Sequence, residues 1–128
     1  KGGKAIALPV SGAWHSPLIQ GAEAEFRAFL NSVPFQAPQC PVIHNVTADT
    51  AAEPQTIKEL MARQLCSPVR WHDTMVQMVQ QGIEVYVEIG PGKVLTGLLK
   101  KVVPAESGAR VYNVSDMNSL EKFLQNEA

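Results

Sequence analysis

Residues 5–17 read Ala-Ile-Ala-Leu-Pro-Val-Ser-Gly-Ala-Trp-His-Ser-Pro, and of the chain's three histidines His15 is the one placed for chemistry. An apolar run with strand character ends at a small-residue turn that presents Trp14 and His15 just before a helix start. Strand ends at the mouth of a sheet are where α/β enzymes place a general base. In that role His15 takes a proton from a hydroxyl or thiol nucleophile supplied elsewhere. The competing reading is a polar residue near a helix N-terminus, hydrogen-bonded locally. No Gly-x-Ser-x-Gly nucleophile turn occurs in the 128 residues, and none of the seven serines sits in such a turn. Ser11 and Ser16 lie near His15, which alone does not make either a nucleophile.

The remaining candidates carry less. Gly90-Pro91-Gly92-Lys93 fails as a phosphate loop, because Lys93 is followed by Val94 and the earlier glycine of that motif falls at Val87. Tight strand-to-helix packing is the expected reason for both glycines. His44 and His72 have no metal-ligand spacing to each other, to His15 or to the cysteines, so no metal site is expected. Glu84 and Glu88 share a strand face expected to be solvated, and Trp71 with Met75 and Met78 reads as core. Cys40 and Cys66 form no disulfide framework and suggest reduced thiols in a cytoplasm. Asn45-Val46-Thr47 and Asn113-Val114-Ser115 match a glycosylation pattern by chance, since no secretory signal is read.

The elements that position these residues are strand, turn and helix in alternation. Ser16 and Pro17 suit an N-cap and first helical position, and Leu18, Ala22, Phe26, Phe29, Leu30 and Val33 recur at helical spacing until Pro34. Residues 41–46 read as a short strand, and Pro54 opens a second helix that Ser67-Pro68 breaks. A third helix runs from about Trp71 to Gln81, ending at Gly82. In residues 83–89, Ile83, Val85, Val87 and Ile89 form the apolar face of a strand, followed by a helix over 94–102. A strand over 110–114 and a helix from Asp116 close the series. The class is α/β with parallel pairing. The chain opens inside the expected first strand with no neighbour before it, which reads as part of a larger domain. Net charge of −1 gives no field for nucleic acid or an anionic membrane, and no apolar run approaches a bilayer span.

Four segments, in order, resemble the carboxyl-terminal portion of the malonyl-CoA:acyl carrier protein transacylases of bacterial fatty acid synthesis. They are Leu8-Pro9-Val10-Ser11-Gly12-Ala13-Trp14-His15-Ser16-Pro17, then Asn45-Val46-Thr47-Ala48, then Arg63-Gln64-Leu65 with Ser67-Pro68-Val69-Arg70-Trp71, and last Glu88-Ile89-Gly90-Pro91-Gly92-Lys93-Val94-Leu95-Thr96-Gly97-Leu98. The resemblance implies residues 1–10 as the last strand of a small inserted ferredoxin-like subdomain. Residues 11–128 become the C-terminal part of an α/β-hydrolase-like acyltransferase core, incomplete without a preceding N-terminal part.

The same resemblance implies malonyl transfer from coenzyme A, through a malonyl-serine intermediate, to the phosphopantetheine thiol of acyl carrier protein. His15 matches the family's base, and the main-chain carbonyl of Gln64 its acceptor for the imidazole Nδ1–H. Trp14 falls where relatives carry an aromatic that shapes the acyl pocket. Phenylalanine is usual there, and the bulkier tryptophan still disfavours a branched α-carbon. The serine, the oxyanion donors and the carboxylate-gripping arginine lie in the preceding part, so this chain is expected to be inactive alone. No cofactor is implied beyond the coenzyme A thioester as substrate. The rivals are an acyltransferase domain of a polyketide synthase and a non-catalytic relative that docks a carrier protein through Arg63, Arg70, Lys93, Lys100 and Lys101.

Overall fold

The structure, a computed structural model, describes residues 2–3, 6–7 and 9–127 and divides into two compact units, Lys1–Arg70 and Trp71–Ala128. The first holds α1 (Gly21–Ser32), a small antiparallel hairpin of β1 (Ile43–His44) and β2 (Asp49–Thr50), and α2 (Pro54–Gln64). The second holds α3 (Trp71–Gln80), β3 (Val85–Ile89), α4 (Val94–Leu99), β4 (Arg110–Val114) and α5 (Met117–Glu127). β3 and β4 pair in parallel, with Val85 opposite Arg110 and Ile89 opposite Val114. This is the expected α/β class, and no helix among the described residues is long and apolar enough to cross a membrane.

In the first unit the helix starts follow from local chemistry. The Ser16 hydroxyl accepts from the Leu18 N–H at 3.3 Å and Pro17 takes the first position, but the turn formed is a 3₁₀ turn, Pro17–Ile19, and α1 begins only at Gly21. Val33, forced toward extended geometry by Pro34, ends α1 at ψ 127°. Only Leu30 of the expected α1 stripe is buried, while Leu18 is 84% and Phe29 62% exposed. On α2, Ile57, Leu60 and Ala62 are buried, and Arg27 of α1 pairs with both Glu23 and Glu59, tying the two helices together. The expected strand before Val10 forms no ladder among its described residues. Lys1, Lys4, Ala5 and Leu8 of that expectation lie outside the described residues.

In the second unit Met75, Tyr86 and Leu99 form the core, with Trp71, Met78 and Val111 packed against them. Trp71, Met75 and Met78 are thus core residues, as expected. The facing of β3 is corrected. Tyr86 is the buried residue of the strand and Ile89 is 82% exposed, because α3 and α4 pack their apolar side chains on the Tyr86 face. Glu88 is corrected too, from a solvated residue to a cap. Its carboxylate accepts from the N–H groups of Leu95 and Thr96 at 3.2 and 2.8 Å, at the start of α4. Thr96, through its side chain first and then its N–H, and after it the Leu95 N–H hold the carboxyl below the usual range. The glycines of the 90–92 turn are not explained by close packing, since a Cβ at either would meet nothing within 4 Å. Their φ angles of 134° and 89° are the reason: only glycine enters that region freely.

The last helix is fastened by a polar clasp. Arg110 donates from Nε and Nη2 to the two Glu127 carboxylate oxygens at 2.8 and 3.0 Å, and the Tyr112 hydroxyl donates to the same carboxylate at 2.6 Å. Arg110 first and Tyr112 second hold the Glu127 carboxyl below its ordinary value. A depressed folded-state value gives stabilisation that is present above the unfolded glutamate range, about pH 4.3, and disappears as pH falls through the lower folded value. Glu127→Gln is therefore expected to lower the melting temperature at pH 7 and to leave it unchanged near pH 2. An equal loss at both pH values would show that the clasp contributes only packing.

Candidate active site

Two backbone segments of the first unit meet at His15, the turn that carries it and the end of α2. The turn after Val10 places residue 15 in the left-handed region, φ 63°, which costs an L-residue roughly 1–2 kcal/mol. Two hydrogen bonds hold it there. The His15 N–H donates to the Leu65 carbonyl at 2.8 Å, and the ring Nδ1 lies 2.9 Å from the Gln64 carbonyl oxygen. A carbonyl only accepts, so Nδ1 carries the proton, and in the neutral ring Nε2 then keeps a lone pair. Both carbonyls belong to the end of α2, where the last four C=O groups have no partner within the helix. The sequence ends α2 there because Ser67-Pro68 cannot continue it, which leaves the carbonyls for His15.

The charge of this arrangement matters as much as its geometry. A helix C-terminus carries a partial negative charge of about half an electron, spread over its free carbonyls. An imidazolium formed at His15 thus meets the negative pole of α2 through the Gln64 carbonyl. Among the described residues no carboxylate touches the ring.

Trp14 is 64% exposed, and its indole folds back over Gly12, where a Cβ would stand 2.6 Å from the indole nitrogen. Gly12 therefore sets where the ring can lie. Ser16 is occupied by its neighbours, donating to the Ala13 carbonyl at 2.7 Å while capping the following turn. Cys66, two residues beyond Gln64, has its thiol pushed up by burial and by the Glu23 carboxylate, which disfavours a thiolate nucleophile. His44 lies on β1, and His72 on α3 stands 3.6 Å from its neighbour Asp73. Among the described residues no three His, Cys, Asp or Glu side chains come together as a metal site. Among the described residues, open grooves of about 360 and 300 Å³ are lined by neither His15 nor Trp14.

One contact was not legible beforehand. The Asn45 side-chain N–H donates to the Gln64 side-chain oxygen at 3.3 Å, across 19 residues of sequence. Nothing in local spacing could have found it, because the two residues meet only through the docking of the β1–β2 turn on α2.

No family model matches the chain. Curated relatives do. It is 38% identical over 122 residues, 95% of its length and 38% of the relative's, to a malonyl CoA-acyl carrier protein transacylase of Bacillus subtilis (strain 168). The match falls in a C-terminal part of such relatives. The chain is homologous to the C-terminal part of the malonyl CoA-acyl carrier protein transacylases. It spans about a third to two fifths of the length of the transacylases it matches. The polyketide biosynthesis protein ThaF of Burkholderia thailandensis is 42% identical over 104 residues, 81% of this chain and 9% of that protein. Among solved structures, a transacylase from Clostridium perfringens superposes with a TM-score of 0.87 at 35% identity, over 98% of this chain and 39% of that one. A malonyl-transacylase in complex with a type II polyketide acyl carrier protein superposes at 0.86 and 36% identity, over 93% and 38%.

Proposed function

We propose that this chain supplies the general base of a malonyl-CoA:acyl carrier protein transacylase whose preceding part supplies the serine nucleophile. The observation that carries the reading is the His15 ring, with Nδ1–H on the Gln64 carbonyl and Nε2 free. In the first half-reaction Nε2 takes the serine hydroxyl proton as the oxygen attacks the malonyl thioester, and coenzyme A leaves as its thiol on receiving that proton. In the second, Nε2 takes the proton of the carrier protein's phosphopantetheine thiol as its sulfur attacks the malonyl-serine ester. The proton then returns to the departing serine oxygen. Within each half-reaction, between taking the proton and handing it on, the ring is positively charged, and the end of α2 does part of what a triad aspartate does elsewhere.

Trp14 lies beside the base and would line the acyl pocket, where its bulk favours malonyl over a branched acyl group. Residues 1–10 are read as the last strand of the small subdomain, pairing outside this chain, and residues 11–128 as part of an α/β-hydrolase-like core. Exposure of Trp14, Leu18, Ile89, Val94 and Met117, each above 60%, supports a larger protein covering them. The substrates are malonyl-CoA and acyl carrier protein, with no cofactor, in the cytoplasm. The similarity to ThaF supports a second reading, the same chemistry in polyketide assembly.

The test is transfer of labelled malonyl from malonyl-CoA to holo-acyl carrier protein. The complete enzyme is expected to carry it out, and the 128-residue chain alone to show none. Transfer by the isolated chain would mean that the serine lies within it.

A further inference from the structure

We propose that Asn45 is a positioning residue for the base, acting through Gln64; this rests on the reading of His15 given above. The carbonyls that hold His15 sit at a helix end, where peptide planes turn easily because the last C=O groups lack helical partners. Something outside α2 must fix their direction. Asn45 fastens the segment at both ends. Its side-chain N–H donates to the Gln64 side-chain oxygen at 3.3 Å, and its own carbonyl accepts the Arg70 N–H at 3.0 Å. Arg70 adds a bond from Nη1 to the Thr47 carbonyl, also 3.0 Å. Residues 64–70 are thus stapled to the 44–48 turn.

That turn is itself stiff. The N–H groups of Thr47 and Ala48 both donate to the His44 carbonyl, at 3.3 and 2.8 Å, and Ala48 is buried in the left-handed region at φ 55°. Asn45 is the first residue of this turn, so its side chain reaches α2 from a fixed base. A single neutral hydrogen bond contributes little to stability. In a base it matters more, because a displacement of about 1 Å at the reacting group can cost on the order of 10²-fold in rate.

The experiment uses the complete enzyme. Asn45→Ala is expected to lower kcat about tenfold with the KM for malonyl-CoA retained, as expected when an interaction realised in the transition state is lost. Gln64→Ala removes the same bond from the other end, and the double variant should be no worse than either single one. Asn45→Asp should recover most of the rate, since the Gln64 amide can turn and donate to the new carboxylate. The low-field proton resonance of the His15 Nδ1–H reads the geometry directly: it should weaken in Asn45→Ala and return in Asn45→Asp. If Asn45→Ala does not fold, Gln64→Ala with the same resonance decides. An unchanged resonance with kcat within twofold overturns the inference, as does a rate loss that only tracks loss of folded protein. His15→Ala is measured in parallel. If that variant stays active the base reading itself fails, whereas an inactive His15→Ala beside a normal Asn45→Ala removes only the role of Asn45.

Discussion

His15→Ala in the complete transacylase is expected to lower malonyl turnover by about 10²–10⁴-fold or more, with substrate binding largely kept. The expectation rests on the absence of a substitute. Among the described residues near it, Ser16 is tied to Ala13 and Leu18, and Cys66 is held as a thiol by burial and Glu23. Water would have to accept the proton without the help of α2. Alanine at a left-handed position adds strain, so His15→Asn is the better-controlled variant: asparagine tolerates that backbone, and its amide can still donate to the Gln64 carbonyl. Both variants should lose activity alike while His15→Asn keeps the parent's melting temperature. Steady-state transfer to the carrier protein measures this, and near-normal turnover in His15→Asn would sink the assignment.

The second large effect separates a main-chain role from a side-chain one. Gln64→Pro should lower turnover by on the order of 10²-fold or more, against about tenfold for Gln64→Ala. Proline in the last turn of α2 removes the residue 64 N–H, and its ring collides with the Leu60 carbonyl, a disruption of roughly 3 kcal/mol. It also pushes Arg63 toward extended geometry, so the carbonyls of residues 64 and 65 no longer face His15. Alanine leaves that path intact and removes only the contact with Asn45. Rates are compared after circular dichroism has shown that each variant is folded. Equal effects of the two substitutions would argue that the carbonyl plays no part.

What could be read beforehand was what a residue does to its own backbone. Ser16, Pro17, Pro34, Pro54 and the glycines at 82, 90 and 92 act locally, and element boundaries near them fall within a few residues of expectation. What failed needed knowledge of a neighbour. The alternation in 83–89 is the same whichever face α3 covers, so the pattern alone picked the valines where packing chose Tyr86. Glu88 as a cap depends on the 90–92 turn bringing α4 back over β3. The site divides in the same way. His15 is conspicuous from its segment, while the Gln64 carbonyl came only from family resemblance, since any residue has a carbonyl. Asn45 stood only within a segment of the resemblance, with nothing to mark its contact with Gln64.

A contact made by peptide carbonyls has its own pattern of tolerance over evolutionary time. Substitution at Gln64 or Leu65 leaves both oxygens in place. Insertion or deletion does not: one residue added within α2 turns everything beyond it by about 100° around the axis and advances it about 1.5 Å. The oxygens at the helix end would then face away from His15. With His15 as the proposed base, lineages that keep this chemistry are expected to vary residue 65 freely and residue 64 at the modest cost of its contact with Asn45, and to hold fixed the residue count between Pro54 and the end of the helix.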